Sequence, residues 1–440
     1  LGFTIAVATL TGVLFGLAPA WRAARTSPQG AMRAAGRGVV EGHSRFAAGK
    51  ALVVGQVALS MVLVVGAGLL LGTMRTLTRL DPGFSRDGVL LVSAQARDTG
   101  APDEARRAAQ RELLRRLREI PGVRSASASL LTPLSGRGWA EGVEVDGFTP
   151  ASRGDDLVFF NAVTDRFFET MGTALVAGRE FDDRDRAGAP RAVVVNETLA
   201  RKFFGAASPV GRQIGQRPHG DKPQPPLQVV GVVRDAKYSS LREGPRPTAY
   251  VPLAQAELFG FSLDFELRSA EGTPAAALVP AVKAVVAQAD PRISLEFTTL
   301  AGQLAASLTR ERLLATLSGF FGALALLLAV VGLYGTMAYG VARRRTEIGI
   351  RLALGAAPAR VLRMVLGEAG VLVASGVALG ALGALAASRL LASFLFGVTP
   401  KDPTTLALSA LTLAAAAAAA AAVPAWRAAR LDPMVPLREE

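Results

Sequence analysis

Five apolar runs, at about 1–20, 50–73, 315–341, 365–392 and 404–423, constrain this 440-residue chain more than any other feature. Each approaches the roughly 20 residues that a helix needs to cross the hydrocarbon core of a bilayer. Half the residues are hydrophobic and 19% are charged, a balance that fits membrane spans better than a soluble domain. The last run contains the nine alanines Ala414–Ala422, so its hydrophobicity is modest, but alanine has the highest helix propensity. The first run ends in Ala-Pro-Ala and imitates a signal peptide, which would carry its positive charge before the apolar stretch. Here Arg22 and Arg25 follow the run and no Lys or Arg precedes it, so it is read as a span. A chain that begins inside such a run is expected to be part of a longer one.

The net charge of +13 raises the question of nucleic acid. Its distribution answers otherwise. The stretches 21–50 and 341–366 each hold six Lys/Arg against one Glu, while the remainder is close to neutral. Basic loops beside apolar spans follow the positive-inside pattern, not a nucleic-acid stripe. They place 21–50, 341–366 and the C-terminus in the cytoplasm, with the loop 393–403 and the block 78–312 outside. The chain has no cysteine, which excludes disulfides and thiolate chemistry. Its two histidines, His43 and His219, lie on different segments and offer no imidazole site.

The outside block reads as a mixed α/β domain. A strand at 89–94, a helix from about 103 to 120 with apolar residues at 109, 113, 117 and 120, and a strand at 123–130 follow in order. The same order recurs at LDFEL (263–267), a helix to about 289 and ISLEF (293–297). Between these halves, VVVN (193–196) leads into a short helix and LQVVGVV (227–233) reads as a buried strand.

The phrase PAWRAAR occurs at 19–25 and again at 424–430, each time after an apolar run. On the topology above both copies end outside-to-inside helices, so the repeat is parallel. Residues 1–33 are then the last helix and tail of a first unit, 34–49 a cytoplasmic linker, and 50–440 a complete second unit. In that unit 50–77 is its first transmembrane helix, 78–312 the outside domain, and 313–440 carries the last three spans.

The cytoplasmic stretch RRRTEIGIRLALGAAPARVLR (343–363) is the most informative motif. Glu347 and Arg351 are an i,i+4 pair, Ile348 and Leu352 share a face, Gly355 is placed to end the helix, and Pro358 to open the next. The residues alone allow an interfacial anchor or a helix that docks a cytoplasmic partner. No G-x-x-x-x-G-K-[ST] loop is present to cradle phosphates. The spacings Gly12–Gly16, Gly68–Gly72 and Gly376–Gly380 read as helix packing. The acidic cluster DDRD (182–185) reads as a solvated turn, because Arg184 interrupts it and no ordered ligand spacing follows. Glu368, the only acid in the later spans, reads as interfacial and close to Arg363.

RRRTEIGIRLALGA, PAWRAARLDPMVPLRE, FFNAVTDRFFETMGTALVAGREF and VVGVVRDAKYSSLREGPRPTAYVPL together resemble ABC-transporter permeases of the MacB/FtsX type. With FLFGVTPKDPTT and the doubled tail, they most resemble the duplicated-permease subgroup first noted in acidobacteria. The resemblance covers essentially the whole chain and implies a four-helix permease unit with a large α/β periplasmic domain, in a bacterial inner membrane. It also implies a cytoplasmic ABC ATPase subunit as partner. ATP and magnesium would sit on that subunit, leaving this chain without catalysis, metal or cofactor. By position, Arg344, Arg345, Glu347, Ile348 and Arg351 would form the docking contact, with Gly355 ending the helix. Arg22, Arg25, Arg427 and Arg430 would anchor helix ends at the cytoplasmic face. Further implied partners are membrane lipid, a periplasmic adaptor or envelope hydrolase, and a second permease unit in a dimeric or pseudo-dimeric assembly. The function implied is export or efflux by mechanotransmission. The alternatives are an FtsX-like regulator of an envelope hydrolase, a lipoprotein-releasing permease, or a membrane-anchored sensor without an ATPase.

Overall fold

A computed structural model describes residues 41–95, 103–217, 225–256 and 262–430, with Gly2, Ile5 and Thr9 before them. Arg22, Arg25 and the Gly12–Gly16 spacing lie outside the described residues, as does nearly all of the first apolar run. The chain separates into two compact units, Leu1–Gly72 with Ala315–Glu440, and Thr73–Leu314.

The elements follow in this order. Helix α1 (Glu41–Arg79) comes first, beginning before the expected residue 50. Then come β1 (Val89–Gln95), α2 (Asp103–Arg118), β2 (Val123–Ser129), β3 (Ala140–Glu144), β4 (Leu157–Val163) and α3 (Phe167–Met171). Next are β5 (Leu175–Gly178), β6 (Ala192–Asn196), α4 (Glu197–Phe204), β7 (Gln213–Gln216), β8 (Leu227–Val233) and β9 (Thr248–Pro252). The α/β unit closes with β10 (Ser262–Ser269), α5 (Val279–Ala289), β11 (Ser294–Thr299) and α6 (Leu300–Ser307). The remaining helices are α7 (Thr309–Arg343), α8 (Arg345–Ala353), α9 (Pro358–Leu391) and α10 (Pro403–Ala429).

Two strand–helix–strand halves, β1-α2-β2 and β10-α5-β11, interleave in one antiparallel sheet of order β11-β1-β10-β2. Leu113 and Leu117 of α2, and Val282 and Val286 of α5, are buried in the core that includes this sheet. The segment between the halves forms a second strand group. Its pairings run β4-β3-β7-β8-β6-β9, and β9 returns to pair in parallel with β4 from Phe159↔Thr248 to Val163↔Pro252. The six strands therefore close into a ring, which removes its open edges. β2 meets the ring at one residue pair, Ser129↔Val163. Backbone bonds flank that pair, from Leu130 N to Ala162 O and from Thr164 N to Ala128 O.

In the helical unit, α1, α7, α9 and α10 are each long and apolar enough to cross a membrane. Val53 and Val57 of α1, Leu333 and Met337 of α7, Val365 of α9, and Ala421 and Ala425 of α10 form one buried cluster. A Cβ at Gly380 would lie 2.5 Å from the Met61 Cβ and 2.6 Å from the Ala58 carbonyl oxygen. Only glycine allows α9 to approach α1 this closely, as the Gly376–Gly380 spacing predicts. Gly68 and Gly72 face Thr405 and Val398 in the same unit. On α7, Phe320, Leu327 and Val331 point out of the bundle, where lipid tails are as apolar as the side chains themselves.

Candidate functional site

The basic ends of α7 and α10 converge with α8 in the helical unit. Arg344 occupies the position before α8, and its guanidinium lies 3.2 Å from the Glu368 carboxylate of α9. Lys50 of α1 pairs with the same carboxylate. This corrects the expected Arg363 partner. Residues 363 and 368 are separated by about 140° around a helix, and Arg363 is exposed, with its Nε 3.5 Å from the Ala359 carbonyl of its own helix. Glu368 is thus a three-element tie, and Arg344 is turned towards it.

Helix α8 is fixed from both ends and from beneath. Ile348 is 1% exposed and packs with Val361 of α9 and Ala428 of α10, with Leu352 and Met364 beside them. After Leu354, Gly355 takes φ 88°. The Ala356 N–H reaches the Arg351 carbonyl and the Gly355 N–H the Leu352 carbonyl, both at 3.0 Å. These two bonds satisfy carbonyls that a helix end otherwise leaves open. Pro358 then opens α9. On the outer face, Glu347 and Arg351 pair at 2.6 Å, each about half exposed.

Of the residues expected in the docking contact, Glu347 and Arg351 lie on this outer face. Ile348, also expected in the contact set, is buried against α9 and α10 instead of lying on that face. The apolar residues presented outward are Ile350, 45% exposed, and Leu354, 83% exposed. With Glu347 and Arg351 they follow the i, i+3, i+4, i+7 spacing of one helix face. Counting from Glu347 instead of Ile348 would have found them. Arg345 is exposed. Arg427, in the last turn of α10, brings Nη1 to 3.5 Å from the Tyr334 hydroxyl. Arg430 stacks 3.9 Å over the Trp426 ring. Cations at a helix C-terminus complement its dipole.

The α/β unit holds two further charged clusters. Asp182 and Asp183 of the DDRD turn are exposed, but Asp185 is buried and receives two Arg179 hydrogen bonds, at 2.7 and 2.9 Å. The cluster is a structural clamp at its last residue and not simply a solvated turn. Arg179 lies outside the acidic cluster, so the cluster alone gives no sign of this contact. On β10, Glu266 is fully buried and accepts from Ser127 at 2.7 Å and Ser129 at 2.5 Å. Burial raises its pKa to about 8, against the opposing effect of those hydroxyls. Asp264, two residues earlier, pairs with Arg137 and accepts from Ser93 at 2.6 Å. Among the described residues no group of three or more acidic or imidazole side chains is arranged to hold a metal.

Among the described residues, four apolar helices with an α/β domain between the first and second of them in sequence have the architecture of a multi-pass permease. The MacB-like periplasmic core domain profile matches residues 51–296, and the FtsX-like permease C-terminal profile matches 319–433. The chain belongs to the MacB/FtsX family of ABC-transporter permeases: it is a multi-pass inner-membrane protein whose large α/β domain is periplasmic.

It is 28% identical over 352 residues to the macrolide export ATP-binding/permease protein MacB of Rhodopseudomonas palustris (strain HaA2), covering 73% of this chain and 51% of that protein. It is 27% identical over 292 residues to the pyoverdine export ATP-binding/permease protein PvdT of Pseudomonas aeruginosa, covering 62% and 41%. The chain therefore spans about half the length of these curated relatives. Among solved structures, the periplasmic region of MacB from Actinobacillus actinomycetemcomitans matches with TM-score 0.34 and 13% identity, covering 51% of this chain and 94% of that one.

Proposed function

We propose that this chain is a permease component that converts nucleotide-driven closure of a separate cytoplasmic ABC ATPase into movement of its periplasmic domain. The observation that carries this reading is the outer face of α8. It offers two exposed apolar side chains and one ion pair on a helix held by Ile348, by the Gly355 turn and by Arg344. A rigid helix with an amphipathic outer face is suited to receiving a partner's motion without absorbing it. The contact set is Arg345, Glu347, Ile350, Arg351 and Leu354, with Arg344 and Ile348 as its supports and Arg427 and Arg430 as helix-end anchors.

ATP and magnesium belong on the partner, since these 440 residues carry no phosphate-binding loop. Export or efflux is the work proposed, in keeping with relatives named for export of a macrolide and of pyoverdine. The doubled PAWRAAR phrase supports the duplicated-permease subgroup, with residues 1–33 ending a first unit and 50–440 forming the second.

The test is affinity purification of the full-length protein from its native membrane, followed by identification of the co-purifying ATPase. Exchanging Glu347→Lys with Arg351→Glu keeps the internal pair and reverses the presented charges. The exchange is expected to leave membrane insertion intact, to lower ATPase recovery by roughly tenfold, a loss of about 1.4 kcal/mol, and to abolish ATP-dependent export. Normal recovery and transport by the exchanged variant would refute the docking role.

A further inference from the structure

A groove of about 200 Å³ opens between α7 and α10 at the cytoplasmic end of the helical unit. Tyr334, Ala338 and Val341 of α7 and Pro424 of α10 form its walls, and Arg345 and Arg427 stand at it. Among the described residues no acidic side chain lines it. Of the described acids on α8 and α9, Glu347 is committed to Arg351 and Glu368 to Lys50 and Arg344. Among the described residues Arg345 makes no hydrogen bond or ion pair, and Arg427 makes the long contact to the neutral Tyr334 hydroxyl.

We propose that this groove binds one anionic phospholipid, with its phosphate between Arg345 and Arg427 and the upper part of an acyl chain along Ala338, Val341 and Pro424. Two guanidiniums that meet no carboxylate among the described residues form a site for a phosphate, which accepts hydrogen bonds from both. Ala338 and Pro424 put small apolar side chains on the wall of this groove of about 200 Å³, which suits an acyl chain. Basic pockets between transmembrane helices on the cytoplasmic side are suited to anionic headgroups. Because Arg345 is the first residue of α8, a lipid held here also steadies that helix from the membrane. Arg345 is shared with the proposed ATPase contact, but lipid retention is read with no ATPase present, so failure of this site is distinguishable from failure of the docking role.

The experiment is native mass spectrometry of the delipidated full-length protein, titrated separately with phosphatidylglycerol, phosphatidylcholine and inorganic phosphate. One retained phosphatidylglycerol, with weaker retention of phosphatidylcholine, is expected. Removing both charges (Arg345→Gln with Arg427→Gln) is expected to reduce phosphatidylglycerol occupancy roughly tenfold or more. Filling the trough with Ala338→Trp should also reduce it while leaving both arginines in place. The control Arg360→Gln with Arg363→Gln removes two exposed charges away from the groove and is expected to bind like the parent. Circular dichroism verifies the fold of each variant. Three results would overturn the proposal: inorganic phosphate competing as well as the lipid, binding unchanged in the double groove variant, or an equal loss in the control pair.

Discussion

Glu266 shows how much a single side chain on a strand depends on what lies across the sheet. In LDFEL the apolar residues alternate with Asp264 and Glu266, and such alternation ordinarily leaves the polar face in water. Here β2 presents Ser127 and Ser129 to Glu266, and the carboxyl is fully buried between them. Its folded pKa of about 8 stands well above the ordinary carboxylate value. The folded chain therefore holds a proton that the unfolded chain has lost between about pH 4.5 and 8. Stability falls as pH rises through that window, by up to about 1.4 kcal/mol per pH unit from this group. Thermal unfolding of the whole protein should accordingly give a falling midpoint from pH 5 to 8. Replacing Glu266 with Gln, which keeps the shape and removes the titration, should flatten that fall. An unchanged slope in the variant would show that Glu266 does not titrate there. None of this was legible in the sequence, because the serines sit more than a hundred residues from Glu266 and only the β10–β2 register brings them together.

At the scale of elements, α8 divides its apolar residues between two tasks. Ile348 attaches the helix to α9 and α10, whereas Leu354 is 83% exposed. A carboxylate at position 348 must enter an apolar contact, at a cost on the order of 3 kcal/mol or more, while one at 354 stays in solvent. In inverted membrane vesicles, trypsin should cut after Arg345 or Arg351 several-fold faster in Ile348→Asp than in the parent, as local opening becomes easier. Leu354→Asp should be cut at the parental rate, and equal acceleration in both would contradict the attachment described.

The sequence announced this helix, its Glu347–Arg351 pair and its Gly355 stop, because all three depend on spacing within a few residues. It could not tell which face was covered, since the cover comes from Val361 and, across some eighty residues, from Ala428. The same contrast holds in the periplasmic domain. LQVVGVV is apolar apart from Gln228 and rich in valine, and its bounds were read directly as β8. Strands β5 (LVAG) and β7 (QIGQ) have four residues each and little apolar alternation, and exist because β8 offers both a partner.

For the whole molecule, charge and hydropathy together specify which side of the membrane each part occupies, and the absence of cysteine makes this simple to check. A cysteine replacing Glu271, 96% exposed in the α/β unit, should react with a membrane-impermeant maleimide applied to the periplasm. One replacing Leu354 should react only once the inner membrane is permeabilised; labelling of both from one side would refute the topology. The closed strand group has a mechanical consequence. A hoop of six laddered strands cannot be widened without breaking a whole ladder, so a pull at any point of its rim turns it as one solid piece. The open sheet is laddered to that hoop at Ser129↔Val163 and its two flanking bonds, and side chains add to the grip: Asn161 bonds both the N–H and the carbonyl of Leu131, and Arg107 of α2 reaches the Ala254 and Ala256 carbonyls. With Leu90 and Phe265 of the sheet and Val193 and Val195 of the hoop in one buried core, the two are fastened across a face, and a push on either carries the other along.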